Sequence, residues 1–96
     1  MENKNTYISK IKNLLKTYCN GKFFFPSNTI KEFWLNEEKV KSEVLSIYVK
    51  KDVLYIQTRT DNWGIMDEKF SEFDVDEVKD MYNYLSAQEV RFVEHN

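Results

Sequence analysis

Cysteine and histidine are the side chains most often used for nucleophilic catalysis and metal binding, and each occurs once, as Cys19 and His95. A nucleophilic thiol needs a positioned base, or a neighbouring positive charge that lowers its pKa. Cys19 has neither nearby in sequence and falls on the apolar side of a predicted helix, which is typical of a small buried hydrophobe. His95 lies in a final segment that we expect to be frayed. We therefore expect neither nucleophilic catalysis nor a Cys/His metal site.

Carboxylates are the next candidates, because seven of them fall between residues 67 and 80. They are Asp67, Glu68, Glu72, Asp74, Asp76, Glu77 and Asp80. The segment does not match a calcium loop, which needs a mid-loop glycine and a glutamate at fixed spacing. Carboxylates early in a helix are favoured by the helix dipole without any ligand. The two glycines, Gly21 and Gly64, also exclude a glycine-rich phosphate loop. We therefore predict a non-enzymatic protein with no cofactor and no metal.

Aromatic residues make up 16% of the chain, as seven Phe, six Tyr and two Trp. Large rings dominate small cores, but this number exceeds what one sheet face and two helices need. Surplus aromatics are enriched at the centres of protein interfaces. We therefore predict that some rings form an interaction surface. The candidates are Phe24, Trp34, Tyr48, Tyr55 and Trp63.

The formal net charge is −2, and the charge is unevenly distributed. Residues 1–31 hold six Lys and one Glu, whereas residues 61–96 hold three basic and ten acidic residues. Lysines interleaved with aromatics can bind single-stranded nucleic acid, so a nucleic-acid-associated accessory protein is the alternative prediction. The overall acidity and the predominance of Lys over Arg, twelve to two, make this alternative the weaker one.

An amphipathic helix is predicted near the start of the chain. Apolar residues from Tyr7 to Cys19 recur at three- and four-residue steps. Asn3 or Asn5 can cap the start of this helix, and Asn20-Gly21 ends it, because glycine accepts the left-handed conformation.

A second helix is predicted from Asp74. Asp74 and Glu77 match a capping box, and Phe73 and Val78 match a hydrophobic staple. The predicted buried stripe contains Val75, Val78, Met81, Tyr82 and Leu85. Beyond residue 85 the pattern permits either a continued helix or a short strand.

A β-hairpin is predicted between the helices, over residues 44–50 and 53–60. A two-residue Lys51-Asp52 loop pairs the strands so that their apolar residues share a face. That face carries Leu45, Ile47, Val49, Leu54 and Ile56. Tyr48 and Tyr55 then pair on the opposite face.

A third strand is predicted over Trp63–Asp67, after a two-residue turn at Asp61-Asn62. This turn length places Trp63 and Ile65 on the apolar face and sets Gly64 opposite Arg59.

Residues 22–42 are harder to assign. Phe23–Phe25 is extended and suits an edge strand, because Pro26 disfavours the helical conformation before it. The following residues fit either a short helix through Trp34 or a strand over Ile30–Leu35, and Asn36–Lys39 fits a polar loop.

These patterns predict a single α+β domain over residues 1–96. Its small antiparallel sheet has three to four strands, with an N-terminal and a C-terminal helix packed on it. No signal peptide or membrane span is evident, so we expect a cytoplasmic protein, and the order of elements is typical of small bacterial proteins. The predicted function is a protein-interaction or regulatory module, with a protein partner or a second copy in a homodimer.

Overall fold

The structure is a computed structural model that describes residues 3–35, 37–60 and 64–94, with side chains described except at 33–35 and 89–94. Its helices are α1 (Lys4–Tyr18) and α2 (Val75–Glu94). The strands are β1 (Lys22–Phe24), β2 (Ile30–Leu35), β3 (Glu38–Lys50), β4 (Val53–Thr60) and β5 (Gly64–Lys69), and a 3₁₀ turn at Phe70–Glu72 precedes α2. The α+β class is thus confirmed, and the antiparallel sheet of the described residues has five strands instead of three to four.

Helix α1 begins and ends as its sequence predicts. The Asn3 side chain accepts a hydrogen bond from the backbone N–H of Thr6 at 3.0 Å, and so caps the first turn. After the helix, Asn20 and Gly21 both have positive φ, and the Gly21 N–H donates to the Leu15 carbonyl at 2.9 Å. This left-handed step turns the chain into β1.

The long strand β3 organises the sheet. On one side it pairs with β1 near its end and with β2 near its start, and on the other side it pairs with β4, which pairs with β5. Strands β1 and β2 together occupy one edge, interrupted where Pro26 cannot donate a backbone hydrogen bond and Asn28 has a φ of 64°. Residues 22–42 therefore contain β1, β2 and the first residues of β3, and the alternative of a short helix through Trp34 is wrong.

The register of the β3–β4 hairpin is the predicted one. Val49 pairs with Leu54, Ile47 with Ile56 and Tyr48 with Tyr55. The loop is Lys51-Asp52, and both residues have positive φ, at 51° and 63°. These values belong to a primed two-residue turn, whose twist matches that of the strands, here formed without the usual glycine.

A β-bulge in β3 corrects one detail of this prediction. The register shifts between Val44, which pairs with Thr58, and Ser46, which pairs with Gln57. Because Leu45 is an extra residue in β3, each residue that precedes it in the strand points to the face opposite the predicted one. Val44 is consequently in the core, whereas Leu45 is half-buried and outside the core cluster.

The predicted register of the third strand is wrong by one residue. Gly64 pairs with Thr60, and Ile65 pairs with Arg59. Three residues separate the two strands, whereas the prediction had two. This odd number moves each side chain of β5 to the face of the sheet opposite the predicted one. Ile65 therefore lies on the face away from the core and is 56% exposed. Trp63 lies outside the described residues.

One hydrophobic core joins both helices to the sheet. Its members are Ile11, Leu15, Val44, Ile47, Leu54, Ile56, Phe70, Phe73, Val78, Met81 and Leu85. The Lys4 ammonium adds a polar tie, because it donates to the carbonyls of Ser71 at 2.7 Å and Phe73 at 3.0 Å. This contact fixes the start of α1 beside the start of α2.

Helix α2 continues to Glu94, which decides between the two predictions for its second half in favour of helix. Val75 is an exception to its predicted stripe, since it is 42% exposed. Position 75 is the first residue of the helix. In the described parts of the chain, no helix combines the length and apolarity needed to cross a membrane.

Candidate functional site

The face of the sheet opposite the helices carries the candidate site, and we call it the outer face. Strand alternation and the observed register arrange its side chains in rows across the strands. One row is Lys22, Tyr48, Tyr55 and Lys69, and the next is Phe24, Ser46, Gln57 and Asp67. A third row is Ile30, Glu43, Arg59 and Ile65.

Exposed apolar side chains concentrate on this outer face. Phe24 is 69% exposed and Ile30 is 52% exposed, and Ile65 and Val53 are also exposed there. Isolated exposed apolar residues are normal on protein surfaces, whereas a contiguous patch of them is typical of a contact surface. The sheet therefore presents apolar side chains to solvent on one side and to its own helices on the other.

Tyr48 and Tyr55 form a stacked cross-strand pair at the centre of the outer face. Their ring centroids are 5.3 Å apart with an interplanar angle of 15°. The Tyr48 hydroxyl donates to Asp67 Oδ1 at 2.7 Å, and Gln57 Nε2 donates to the same oxygen at 3.3 Å. These contacts hold the aromatic pair in one orientation.

The same contacts change the acidity of Tyr48. Partial burial, followed by the hydrogen bond to Asp67, the charge of that carboxylate and the neighbouring Tyr55, raises the pKa of Tyr48 to about 12. The phenol is therefore neutral at physiological pH and remains the donor in its hydrogen bond.

Lys22 covers the aromatic rings from the strand at the edge. Its Nζ lies 4.8 Å from the ring centroid of Phe24 and 5.6 Å from that of Tyr48. Both distances suit a cation–π interaction. One ring face of Tyr48 is thus occupied by Tyr55 and the other by Lys22.

Glu43 organises the far end of the outer face. Its carboxylate accepts from the backbone N–H of Asn28 at 3.1 Å and lies 3.6 Å from Arg59 Nη1. The contact to Asn28 fixes the connection between β1 and β2. The ion pair with Arg59 balances the charge of this row, which ends in the exposed Ile30 and Ile65.

Cys19 and the acidic side chains were the other candidates for chemistry in the sequence. Cys19 is half-buried at the end of α1, and burial raises the pKa of its thiol, which disfavours the nucleophilic thiolate. No group of three or more His, Cys, Asp or Glu side chains within the described ranges is placed to hold a metal ion.

A crevice between the sheet and α2 is another concave feature of the described surface. It is lined by the apolar side chains of Ile56, Phe70, Phe73, Val78 and Met81 and by Lys31 and Glu77. Its volume of about 20 Å³ is roughly what a single water molecule needs. The enclosed part of this crevice therefore holds about one water molecule.

The structure brings together three of the five predicted interaction residues, namely Phe24, Tyr48 and Tyr55, on the outer face. Trp34 lies in β2 opposite Lys39, and its side chain is outside the described set, as is all of Trp63.

Two contributors to the outer face were not among the predicted residues. Lys22 and Asp67 reach the tyrosine pair through the β1–β3 and β4–β5 registers. Neither register follows from local sequence, because β1 is short and the β4–β5 connection does not reveal its length.

Comparison of the chain with protein-family models, with curated proteins and with solved structures gave no significant match.

Proposed function

We propose that this chain is a non-enzymatic protein-interaction module that docks a protein partner on the outer face of its sheet. The observation that carries the proposal is the exposed Phe24 beside the fixed Tyr48–Tyr55 pair, on a face that neither helix covers. Aromatic side chains of this kind supply large contact area at low entropic cost, because they are rigid before binding.

A pair of matched variants tests this function. Phe24→Asp places a charge at the exposed aromatic position of the outer face, and Val75→Asp places the same charge at an exposed apolar position on α2. Both positions are exposed, so both variants should fold as the wild type does. Each protein is immobilised, incubated with extract of its host, and its bound proteins are identified, while sedimentation across concentration measures self-association.

The expected result is a partner, or a second copy of the chain, that binds the wild type and Val75→Asp but not Phe24→Asp. A protein that stays monomeric at all concentrations, with the same bound proteins for wild type and Phe24→Asp, would refute the proposal.

A nucleic-acid-associated accessory protein is the second candidate, and the position of Lys22 over Phe24 and Tyr48 favours it. Antiparallel sheets with exposed aromatics and lysines can bind single strands. However, base stacking needs a free ring face, and both faces of Tyr48 are occupied. A salt-dependent shift of a labelled single-stranded oligonucleotide would support this candidate, and absence of binding at low salt would end it.

A further inference from the structure

The end of the outer face nearest the β3–β4 turn is positively charged. Lys22 and Lys69 flank the tyrosine row, and strand alternation from Tyr48 puts Lys50 on the same face. We call these three residues the lysine end. All three are exposed, and none forms an ion pair with another described residue.

The nearby carboxylates do not neutralise the lysine end. Asp52, in the turn itself, is held on the helix side by Lys16 Nζ at 3.0 Å and Lys12 Nζ at 3.3 Å from its Oδ1. Asp67 accepts hydrogen bonds from the neutral side chains of Tyr48 and Gln57, keeps its own charge, and so offsets one of the three lysine charges and leaves two. The potential at this end of the outer face is therefore positive, although the chain as a whole has a formal charge of −2.

Apolar surface adjoins the same charges. Val53 pairs with Lys50, and Phe24 lies in the row next to Lys22 with its ring beneath the Lys22 ammonium. A complementary ligand would thus carry negative charges spaced among apolar side chains. Charge complementarity of this kind selects the partner and accelerates association more than it adds affinity.

We propose that the lysine end of the outer face docks an acidic segment of a protein partner in which carboxylate and apolar side chains alternate or cluster. This proposal rests on the proposed function and names the chemistry of its partner. A contact that brings the lysine ends of two copies together would be repulsive. A nucleic acid would find both ring faces of Tyr48 already covered, by Tyr55 and by Lys22, and so could not stack a base on this ring.

Titration of synthetic peptides into ¹⁵N-labelled protein tests the proposal. The probes are an unstructured peptide of Glu and Asp with interspersed Phe, the same peptide with Ser in place of Phe, and the same peptide with Lys in place of the acidic residues. Single-stranded oligothymidylate and vesicles of anionic phospholipid are titrated in parallel. We expect the acidic Phe-containing peptide to bind most tightly, with shifts at Lys22, Tyr48, Tyr55 and Lys69.

Charge-reversal variants locate the contact. Lys22→Glu combined with Lys69→Glu should weaken binding of the acidic peptide at least about tenfold at low ionic strength, because it reverses two of the three charges. Lys79→Glu is the control, since residue 79 is an exposed lysine on α2. Both variants are also measured at about 0.15 M salt, where charges more than about 8 Å apart are largely screened, and there Lys79→Glu should leave the affinity within about twofold while the outer-face variant still binds more weakly.

Three results would overturn the acidic-segment proposal. The first is no binding of either acidic peptide at low salt while Phe24 is still required for capture of a partner, which would leave the proposed function standing. The second is equal loss of affinity in the outer-face variant and in Lys79→Glu. The third is tighter binding of oligothymidylate or of vesicles at the same residues, which would assign the lysine end to nucleic acid or to a membrane surface.

Discussion

Truncation of one residue on each face of the sheet should have very different effects on stability. Ile47 lies at the centre of β3, pairs with Ile56 and is 0% exposed. Phe24 points away from the core on β1 and is 69% exposed. Ile47→Ala and Phe24→Ala therefore compare a buried apolar side chain with a larger exposed one in adjoining strands of one sheet.

The magnitudes follow from the buried surface. Ile47→Ala removes three carbon atoms, which at about 0.8 kcal/mol per buried CH₂ is roughly 2.4 kcal/mol, and a residual cavity raises the total to about 3–4 kcal/mol. Phe24 buries only about a third of its surface, so its truncation should cost roughly 1 kcal/mol or less, even with a weak cation–π contact to Lys22. A domain of this size has a total stability of about 5–14 kcal/mol.

Urea unfolding followed by circular dichroism measures both free energies of unfolding. If the free energy of unfolding has the same slope against urea concentration in each variant as in wild type, each variant unfolds from the same compact state. The expected outcome is a large fall in midpoint for Ile47→Ala and a small one for Phe24→Ala. A loss of more than about 2 kcal/mol in Phe24→Ala, approaching that of buried apolar truncations, would refute the assignment of the two faces.

Three further predictions concern titratable groups and backbone geometry. Asp67→Asn should lower the pKa of Tyr48 from about 12 towards its ordinary value of 10, without reaching it because burial persists, as ring NMR signals would show. In the wild type the stability that Tyr48 contributes is full below pH 10 and is lost between pH 10 and about 12, because the folded state holds the phenolic proton more tightly. Hydrogen bonds from Lys16 and then Lys12 lower the pKa of Asp52, so the stability of wild type relative to Asp52→Asn should fall as pH drops from above 3.8 through that lowered pKa. A difference that does not change with pH would show that the ion pairs are not its cause, because the effect of the left-handed φ at residue 52 does not depend on pH. Lys51→Asn should raise the free energy of unfolding by roughly 0.5–1 kcal/mol, because Lys51 has a φ of 51° and asparagine tolerates the left-handed conformation better. The midpoint of urea unfolding measures this change, and an unchanged midpoint would contradict the prediction.

Local sequence was sufficient to predict the structure where an element is regular and its connection to the next element is short. The helix α1 followed from a repeated apolar spacing, with Asn3 as its cap. The β3–β4 register followed from parity, because only an even loop puts Ile47 and Ile56 on one face. The pairing of Tyr48 with Tyr55, which centres the candidate site, was predicted by the same reasoning.

Prediction failed where one extra residue changes the faces. The bulge at Leu45 exchanges it with Val44, and the three-residue connection before β5 moves Ile65 to the outer face. A β-branched or aliphatic residue suits either face of a strand locally. Which face such a residue occupies is decided by pairing with strands that are distant in sequence, and that pairing cannot be read from the residues next to it.

The candidate site depends on the same distant pairing. Sequence composition indicated surplus aromatics, but the grouping of Phe24 with the two tyrosines arises from the pairing of β1 with the end of β3. The positions of Lys22 and Asp67 beside these rings also arise from register. Chemistry on a sheet surface is thus less predictable than chemistry within one helix or loop.

The central claim is that both helices cover one face of the sheet and leave the aromatic outer face exposed to solvent. Hydroxyl-radical footprinting of the free monomeric protein measures this directly, residue by residue. We predict rapid oxidation of Phe24 and strong protection of Phe70 and Phe73, which are 3% and 5% exposed. Protection of Phe24 to the level of Phe70 in the monomer would contradict the account.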